Sequence, residues 1–247
     1  MDIGALKVGC GHCSLAELCL PRGLSTDEVD RLDMLVKRRP PLQRGQTLFR
    51  AGDAFHALFA IRSGSLKTTA LAGDGAEKIL GFHLAGELVG LDAIHGDIHN
   101  CAAVALETTS LCEVPFPELG DLSRQVPGLQ LQLFRLAGQE ISHDQEMLLT
   151  LGNRNAEERL STFLWTLGSR LGERGFSRLE FNLTMSRHDI ANYLGLAVET
   201  ISRLFTHMHK EGLLRVERRH ITILDPERLH AMAHLCAENP ARAAMVR

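Results

Sequence analysis

Three cysteines near the start of the chain lie close enough together to bind a metal centre. Cys10, Cys13 and Cys19 form a C-x2-C-x5-C spacing, and Gly11 permits the turn that would bring their sulfurs together. Two sites are compatible with these residues. One is a closed tetrahedral zinc site, to which His12 can contribute a nitrogen, and the other is an iron–sulfur cluster held by four thiolates. The spacing matches none of the ferredoxin runs.

A fourth ligand must come from elsewhere in the chain. The candidates are Cys101, Cys112, Cys236 and His12. Six cysteines in a chain with the features of a cytoplasmic protein favour metal or redox chemistry over disulfides. The residues alone leave three alternatives open, which are zinc, an iron–sulfur cluster and unliganded thiols.

Residues 184–212 have the pattern of a DNA-binding element. Ser186 and Asp189 form a capping box, which predicts the start of a helix, and Gly195 ends that helix. A second helix is predicted over residues 198–211. A helix-turn-helix needs a small residue, a turn glycine and a β-branched apolar residue at set spacings, here Ala191, Gly195 and Ile201.

The second of these helices presents side chains that can read DNA bases. Glu199, Ser202 and Arg203 are spaced to lie on one face near the helix N-terminus, the end that enters the major groove. Arg203 can donate two hydrogen bonds to a guanine, Glu199 can accept one from a cytosine, and Ser202 suits a base or a phosphate. The alternative is a helical hairpin with a solvated polar face. Residues 215–224 then predict a hairpin whose basic side chains would contact the DNA backbone, Arg215, Arg218, Arg219 and His220.

The elements before this region predict a small antiparallel β-roll followed by a long helix. Residues 26–125 have the pattern of strands, because short apolar segments such as Leu58–Ile61 and Ile79–Leu84 are separated by frequent glycines. Gly73-Asp74-Gly75 has the composition of a turn between two strands. From Pro127 the pattern changes to one long helix.

The long helix carries a coiled-coil pattern with a carboxylate in it. Apolar residues and one aspartate recur at alternating spacings of three and four, at Phe134, Ala137, Ile141, Asp144, Leu148 and Leu151. We therefore predict dimer contacts at Ile141, Asp144 and Leu148; the alternative is a helix that packs on its own domain. Across a two-fold axis Asp144 would face its own copy, so like-charge repulsion would make the dimer marginal.

Composition excludes several classes of protein. The chain has 247 residues, 45% of them hydrophobic and 23% charged, which excludes a disordered or collagen-like chain. It contains neither a run of apolar residues long enough to span a membrane nor a secretory signal pattern, so a cytoplasmic location is expected. Residues 1–153 hold 13 Lys/Arg against 19 Asp/Glu, and residues 154–247 hold 14 against 11, which suggests a polyanion partner for the second part. No catalytic motif was found, so an enzyme is not expected.

Four motifs and the long helix together resemble the CRP/FNR regulators and, within them, the oxygen-sensing FNR branch. The motifs are Cys10–Cys19, GFHLAGELVG at 81–90, LETTSLCE at 106–113 and LGLAVETISR at 194–203. The resemblance implies an α+β fold with four parts. An N-terminal cluster-binding segment (1–25) precedes a β-roll sensor domain similar to cyclic-nucleotide-binding domains (26–125). A dimerisation helix (126–153) and a winged helix-turn-helix domain (154–247) follow.

The resemblance also implies the function of particular residues. Cys10, Cys13, Cys19 and Cys112 would ligate a [4Fe–4S] cluster, and Glu199, Ser202 and Arg203 would read each half of a palindromic site. Such regulators form homodimers when the cluster is intact, bind promoter DNA and recruit or block RNA polymerase. Oxygen converts the cluster to a [2Fe–2S] form, destroys it and releases the dimer.

Cyclic-nucleotide binding is not expected. The cyclic-nucleotide branch of this superfamily pairs the phosphate with an Arg-Ser dipeptide about ten residues after a Gly-Glu. Here Gly86-Glu87 is present, but the corresponding region reads His99-Asn100-Cys101, which has no arginine to pair with a phosphate.

Overall fold

The computed structural model describes residues 9–73 and 75–233. Asp74 of the predicted turn and Cys236 lie outside the described residues. The chain divides into two compact units between His143 and Asp144. Within the described residues, no helix is both long enough and apolar enough to cross a membrane.

Two four-stranded antiparallel sheets form the first unit. The strands are β1 (Lys37–Arg38), β2 (Thr47–Phe49), β3 (Ala57–Ser63), β4 (Ser65–Leu71), β5 (Glu77–Leu84), β6 (Leu88–Val89), β7 (Ala102–Ala105) and β8 (Ser110–Pro115). One sheet has the order β1-β8-β3-β6 and the other has the order β2-β7-β4-β5. The prediction of an N-terminal β-roll is thereby confirmed.

The expectation that residues 26–125 consist of strands is wrong at both ends, where two helices stand instead. Helix α1 spans Thr26–Leu35 and begins at a capping box in which Ser25 and Glu28 bond each other's backbone N–H. Helix α2 spans Phe116–Gln125 and has a proline in its first turn, where the missing N–H costs nothing. Both helices bury apolar residues against the first sheet, which compensates for their short length.

The β1-β8-β3-β6 sheet separates two cores, and the alternation along β8 shows how. Leu111 faces a core between the two sheets, which includes Phe59 and Ile61. Cys112 and Val114 face the other core, which the helices cover. Successive side chains of a strand point to opposite faces, so neighbours in sequence enter different cores.

Helix α3 spans Pro127–Asn153 and confirms the predicted long helix. On its first turn Leu129 is buried in the core beneath the first sheet, and Leu136, two turns further along the same face, packs in the same core. Three apolar residues of the predicted coiled-coil pattern instead face solvent: Phe134 is 67% exposed, Ile141 58% and Leu148 71%. Large apolar side chains at such exposures are typical of a surface that a partner covers.

The second unit is a winged helix-turn-helix, as predicted. Its elements are α4 (Ala156–Glu173), β9 (Glu180–Asn182), α5 (Arg187–Leu194), α6 (Val198–Lys210), β10 (Leu214–Glu217), β11 (His220–Ile223) and α7 (Pro226–Met232). The strands form one antiparallel sheet in the order β10-β11-β9, so the predicted hairpin at 215–224 is present and gains a third strand.

Candidate metal centre and nucleic-acid interface

Four cysteines line a single cavity in the first unit. Cys10, Cys13 and Cys19 come from the segment before α1, and Cys112 comes from β8. The cavity encloses about 530 Å³, including open solvent at its mouth. All five described cysteines are free thiols. Thiols from two distant parts of the chain therefore surround one space, and such thiols, once deprotonated, are the soft ligands of iron–sulfur clusters and other thiophilic centres.

Short turns hold the N-terminal cysteines in place. The segment is a run of 3₁₀-type bonds, in which the Cys13 N–H donates to the Cys10 carbonyl at 3.3 Å and the Cys19 N–H to the Ala16 carbonyl at 3.3 Å. Helix α1 anchors the start of the segment, because the Cys10 N–H donates to Asp33 Oδ1 at 3.0 Å. Asp33 in turn accepts from Arg38 at 2.8 Å.

The sheet decides which distant cysteine reaches the cavity. Cys112 lies on the face of β8 that looks toward the N-terminal segment, whereas Cys101 is 4% exposed in the core between the two sheets. The residues alone left Cys101, Cys112, Cys236 and His12 as candidates for the fourth ligand, and the family resemblance implied Cys112. His12 is exposed and does not line the cavity.

Burial keeps three of the thiols, those of Cys10, Cys19 and Cys112, protonated when no metal is bound. Desolvation raises the pKa of Cys10 to about 12, with further contributions from its hydrogen bond to Asp33 and the charge of that carboxylate. Desolvation also raises the pKa of Cys19 to about 12 and that of Cys112 above its ordinary value. A metal centre binds thiolates, so its assembly here must release protons.

Two arginines line the same cavity and supply positive charge. Arg38 and Arg62 both lower the pKa of Cys112 through their charges, although desolvation is the larger effect and raises it. Four thiolates around a cluster carry a net negative charge that these guanidinium groups would offset. Within residues 9–73 and 75–233, no three His, Cys, Asp or Glu side chains converge on a point where they could hold a single metal ion.

A buried glutamine connects the cysteine segment to helix α3. The Gln132 side chain is 1% exposed, and its Nε2 donates to the Cys19 carbonyl at 3.0 Å. Its Oε1 is buried and accepts no hydrogen bond from the described residues. Leu20, next to Cys19, packs in the same core as Leu129 and Leu136 of α3. Sequence reasoning missed Gln132, because its contact is 113 residues away along the chain.

The segment His99-Asn100-Cys101, where the sequence has no arginine for a phosphate, is held by local contacts. His99 is buried, stacks on Phe49 with ring centroids 3.7 Å apart, and lies 3.4 Å from Asp92. The Asn100 N–H donates to the same carboxylate at 2.8 Å. Asp92 thus contacts both His99 and the Asn100 backbone.

The helix-turn-helix has the local geometry that its sequence predicts. The Ser186 N–H donates to Asp189 Oδ2 at 2.8 Å, and the Asp189 N–H donates to Ser186 Oγ at 3.1 Å. Gly195 follows α5 in the left-handed region, with φ 63° and ψ 39°. A glycine adopts this backbone without steric cost, so the chain can turn directly into α6.

Helix α6 has one buried face and one exposed face. Ile201, Phe205 and Met208 are buried, whereas the three predicted base-reading residues are all exposed, Glu199, Ser202 and Arg203. The Ser202 hydroxyl donates to the Val198 carbonyl at 3.0 Å, which leaves its lone pairs available to accept. The face is therefore free to enter a DNA groove.

The hairpin of β10 and β11, which forms the wing, places its basic residues in two different environments. Arg215, Arg218 and Arg219 are exposed, whereas His220 bonds Glu180 at 2.9 Å and Asn182 at 3.3 Å. Of the four residues predicted to contact the DNA backbone, the three arginines are therefore the ones that remain available to bind a phosphate.

The three predicted dimer residues lie on the surface of α3. Ile141, Asp144 and Leu148 are all exposed in the single chain. Asp144 is still partly shielded from water, and this desolvation raises the pKa of its carboxyl above the ordinary value. A partner on this surface would shield Asp144 further.

A β-roll joined by a long helix to a winged helix-turn-helix is the architecture of DNA-binding transcription regulators. Residues 158–232 match the Crp-like helix-turn-helix domain, and residues 40–125 match the cyclic nucleotide-binding domain. The chain belongs to the Crp/FNR family of transcription regulators, and its relatives are regulators rather than enzymes, as predicted.

Relatives match the chain almost from end to end. The fumarate and nitrate reduction regulatory protein of Vibrio cholerae is 49% identical over 236 residues, which cover 96% of this chain and 94% of that protein. The protein of the same name from Escherichia coli K12 is 49% identical over 230 residues, 93% of this chain and 92% of that protein. The structure of FixK2 from Bradyrhizobium japonicum aligns with a TM-score of 0.74 at 28% identity, covering 82% of this chain and 99% of that one.

Proposed function

We propose that this protein is an oxygen-responsive transcription regulator of the cytoplasm. Cys10, Cys13, Cys19 and Cys112 hold a [4Fe–4S] cluster at low oxygen. In that state two chains associate through α3, bind a palindromic promoter site and activate or repress transcription through RNA polymerase. Loss of the cluster on exposure to oxygen separates the dimer and releases the DNA.

The observation that carries this proposal is the set of four thiols around one cavity. Thiolates are the ligands that iron–sulfur clusters require, and each one binds a different iron, so the sulfurs must surround a volume rather than meet at a point. The four thiols line one cavity, and this arrangement supports the proposal. When bound, the cluster supplies a centre that reacts with oxygen.

The contacts between the cysteine segment and α3 support the link between sensing and dimerisation. The cavity wall and the first turns of α3 share one core, and Gln132 bonds directly to the Cys19 backbone. A change in the cysteine segment would therefore act on α3. The repulsion expected at Asp144 keeps the dimer weak, so a small contribution from the segment is enough to shift the equilibrium.

Other features support the remaining parts of the proposal. We propose that Glu199, Ser202 and Arg203 read each half-site, because all three are exposed on the same helix. The four parts 1–25, 26–125, 126–153 and 154–247 would then act as cluster segment, sensor domain, dimerisation helix and DNA-binding domain. The sensor domain would take no cyclic nucleotide, because the segment His99-Asn100-Cys101 has no arginine for a phosphate and lies beside the carboxylate of Asp92.

The test is anaerobic purification followed by an absorption spectrum and an assay of iron and sulfide. The expected result is about four irons per chain and a broad band at about 400 nm that bleaches in air. A colourless protein with one zinc per chain would contradict the proposed cluster and leave the proposed DNA-binding function unaffected. A protein with unliganded thiols and no metal would contradict the cluster as well.

A matched pair of substitutions tests the ligand set. Cys112→Ser should abolish iron binding, whereas Cys101→Ser should leave the iron content unchanged, because Cys101 lies in the other core. Loss of iron from the Cys101 variant together with retention in the Cys112 variant would refute the assignment.

A further inference from the structure

One arginine joins three separate segments at the junction between α3 and the helix-turn-helix. Arg159, on the first turns of α4, donates from each of its three guanidinium nitrogens to a different backbone carbonyl. Nη2 bonds Leu151 at 2.8 Å, Nε bonds Arg154 at 2.9 Å, and Nη1 bonds Leu194 at 3.0 Å. All four residues belong to the same compact unit.

Two of these carbonyls lie at helix ends that need a partner. Leu151 is in the last turn of α3, and Leu194 is the last residue of α5, directly before the turn at Gly195. The last carbonyls of a helix have no intrahelical donor and carry the negative end of the helix dipole. A planar guanidinium satisfies both ends at once, in a geometry that a lysine ammonium cannot reproduce.

We infer that Arg159 is a positioning residue that fixes the helix-turn-helix relative to the end of α3, and thereby sets the distance between the two half-sites that a dimer can read. This inference depends on the proposed function, in which α3 forms the dimer. Each recognition helix follows α5 through one short turn, so a bond at Leu194 controls where α6 points. In dimeric helix-turn-helix proteins the half-site spacing mirrors the separation of the two recognition helices.

The experiment measures DNA affinity as a function of half-site spacing. The probe is a duplex selected from a random pool by anaerobic, cluster-loaded wild-type protein, together with versions that have one or two base pairs inserted or removed at the centre. The variants are Arg159→Met and Arg159→Lys. The control is Arg174→Met, which removes an arginine that bonds a carbonyl of its own helix, at Arg170.

The wild type and the Arg174 variant should bind the selected spacing at least about tenfold more tightly than the altered spacings. Both Arg159 variants should lose about tenfold at the selected spacing, which is the effect of removing charge-assisted hydrogen bonds. The affinities of these two variants for the different spacings should differ by less than about threefold. Iron content and dimer content should equal those of the wild type.

Different results would contradict the proposed function and the positioning role of Arg159. A wild type that selects no palindromic duplex would contradict the proposed function. An Arg159 variant that keeps the wild-type preference for spacing, with affinity unchanged or reduced equally for all duplexes, would show that Arg159 is merely structural. Thermal melting identifies a variant that fails to fold. If Arg159→Met does so, Arg159→Lys, which retains the charge, decides the question.

Discussion

Replacing Gln132 with leucine tests whether α3 holds the cysteine segment in place. The substitution removes the 3.0 Å bond from Nε2 to the Cys19 carbonyl and preserves most of the buried volume. The Cys19 carbonyl still accepts from the Arg22 N–H at 3.3 Å, so it is not left without a donor. The expected loss is therefore one ordinary hydrogen bond, about 1 kcal/mol.

That free energy should appear in the local opening of the segment rather than in global unfolding. Leucine also removes the buried Oε1, which lacks a donor among the described residues, so the two effects nearly cancel in overall stability. A change of about 1 kcal/mol in docking raises the open population about fivefold. The cluster band at about 400 nm should therefore bleach about fivefold faster in air, with little change in melting temperature.

Gln139→Leu is the matched control, because Gln139 is exposed on the same helix. Hydrogen exchange at the Arg22 amide in cluster-free protein provides a second measurement, and it should speed up only in the Gln132 variant. Equal bleaching and equal exchange in the two variants would refute the reasoning that α3 and the cysteine segment are coupled through Gln132.

Arg203→Ala should cost about 1–3 kcal/mol of DNA binding and relax the preference for one base in each half-site, whereas Arg219→Ala should weaken all sequences equally; competition binding with mutated half-sites separates the two patterns. Asp144→Ala should strengthen self-association in sedimentation, and an unchanged dimer would contradict the predicted repulsion. Because a dimer would raise the Asp144 pKa further, it binds more protons than the separated chains. Wild-type association should therefore strengthen as pH falls through that raised pKa, and the alanine variant should lose this dependence. Gly64→Ala should destabilise the first unit by about 2–5 kcal/mol in thermal melts, because φ is 85° and a Cβ would lie 2.6 Å from the Thr108 carbonyl oxygen. Gly52→Ala, with a positive φ but open space, should cost only about 1 kcal/mol, and equal costs at the two sites would contradict this account.

The helix-turn-helix was predictable because its determinants are local. The Ser186–Asp189 capping box, the turn at Gly195 and the apolar spacing of α6 involve residues within a few positions of one another. The long helix followed from its periodicity for the same reason. The helices α1 and α2 were missed although Ser25 and Glu28 form a capping box, because the glycine-rich strand pattern between the two helices was extended over both.

The donor chemistry can be read from the residues alone, because three thiols are clustered near the start of the chain and one predicted helix carries a polar face. The fold adds which distant cysteine lies beside them at the cavity. The residues alone leave both Cys101 and Cys112 as candidates, and the family resemblance implies Cys112. In the structure the pleat of β8 turns Cys112 toward the N-terminal segment, while Cys101 is enclosed between the sheets. Gln132 and Arg159 were likewise beyond prediction, because their roles come from contacts with backbone carbonyls. Every residue has such a carbonyl, so only the fold shows which ones lie within reach.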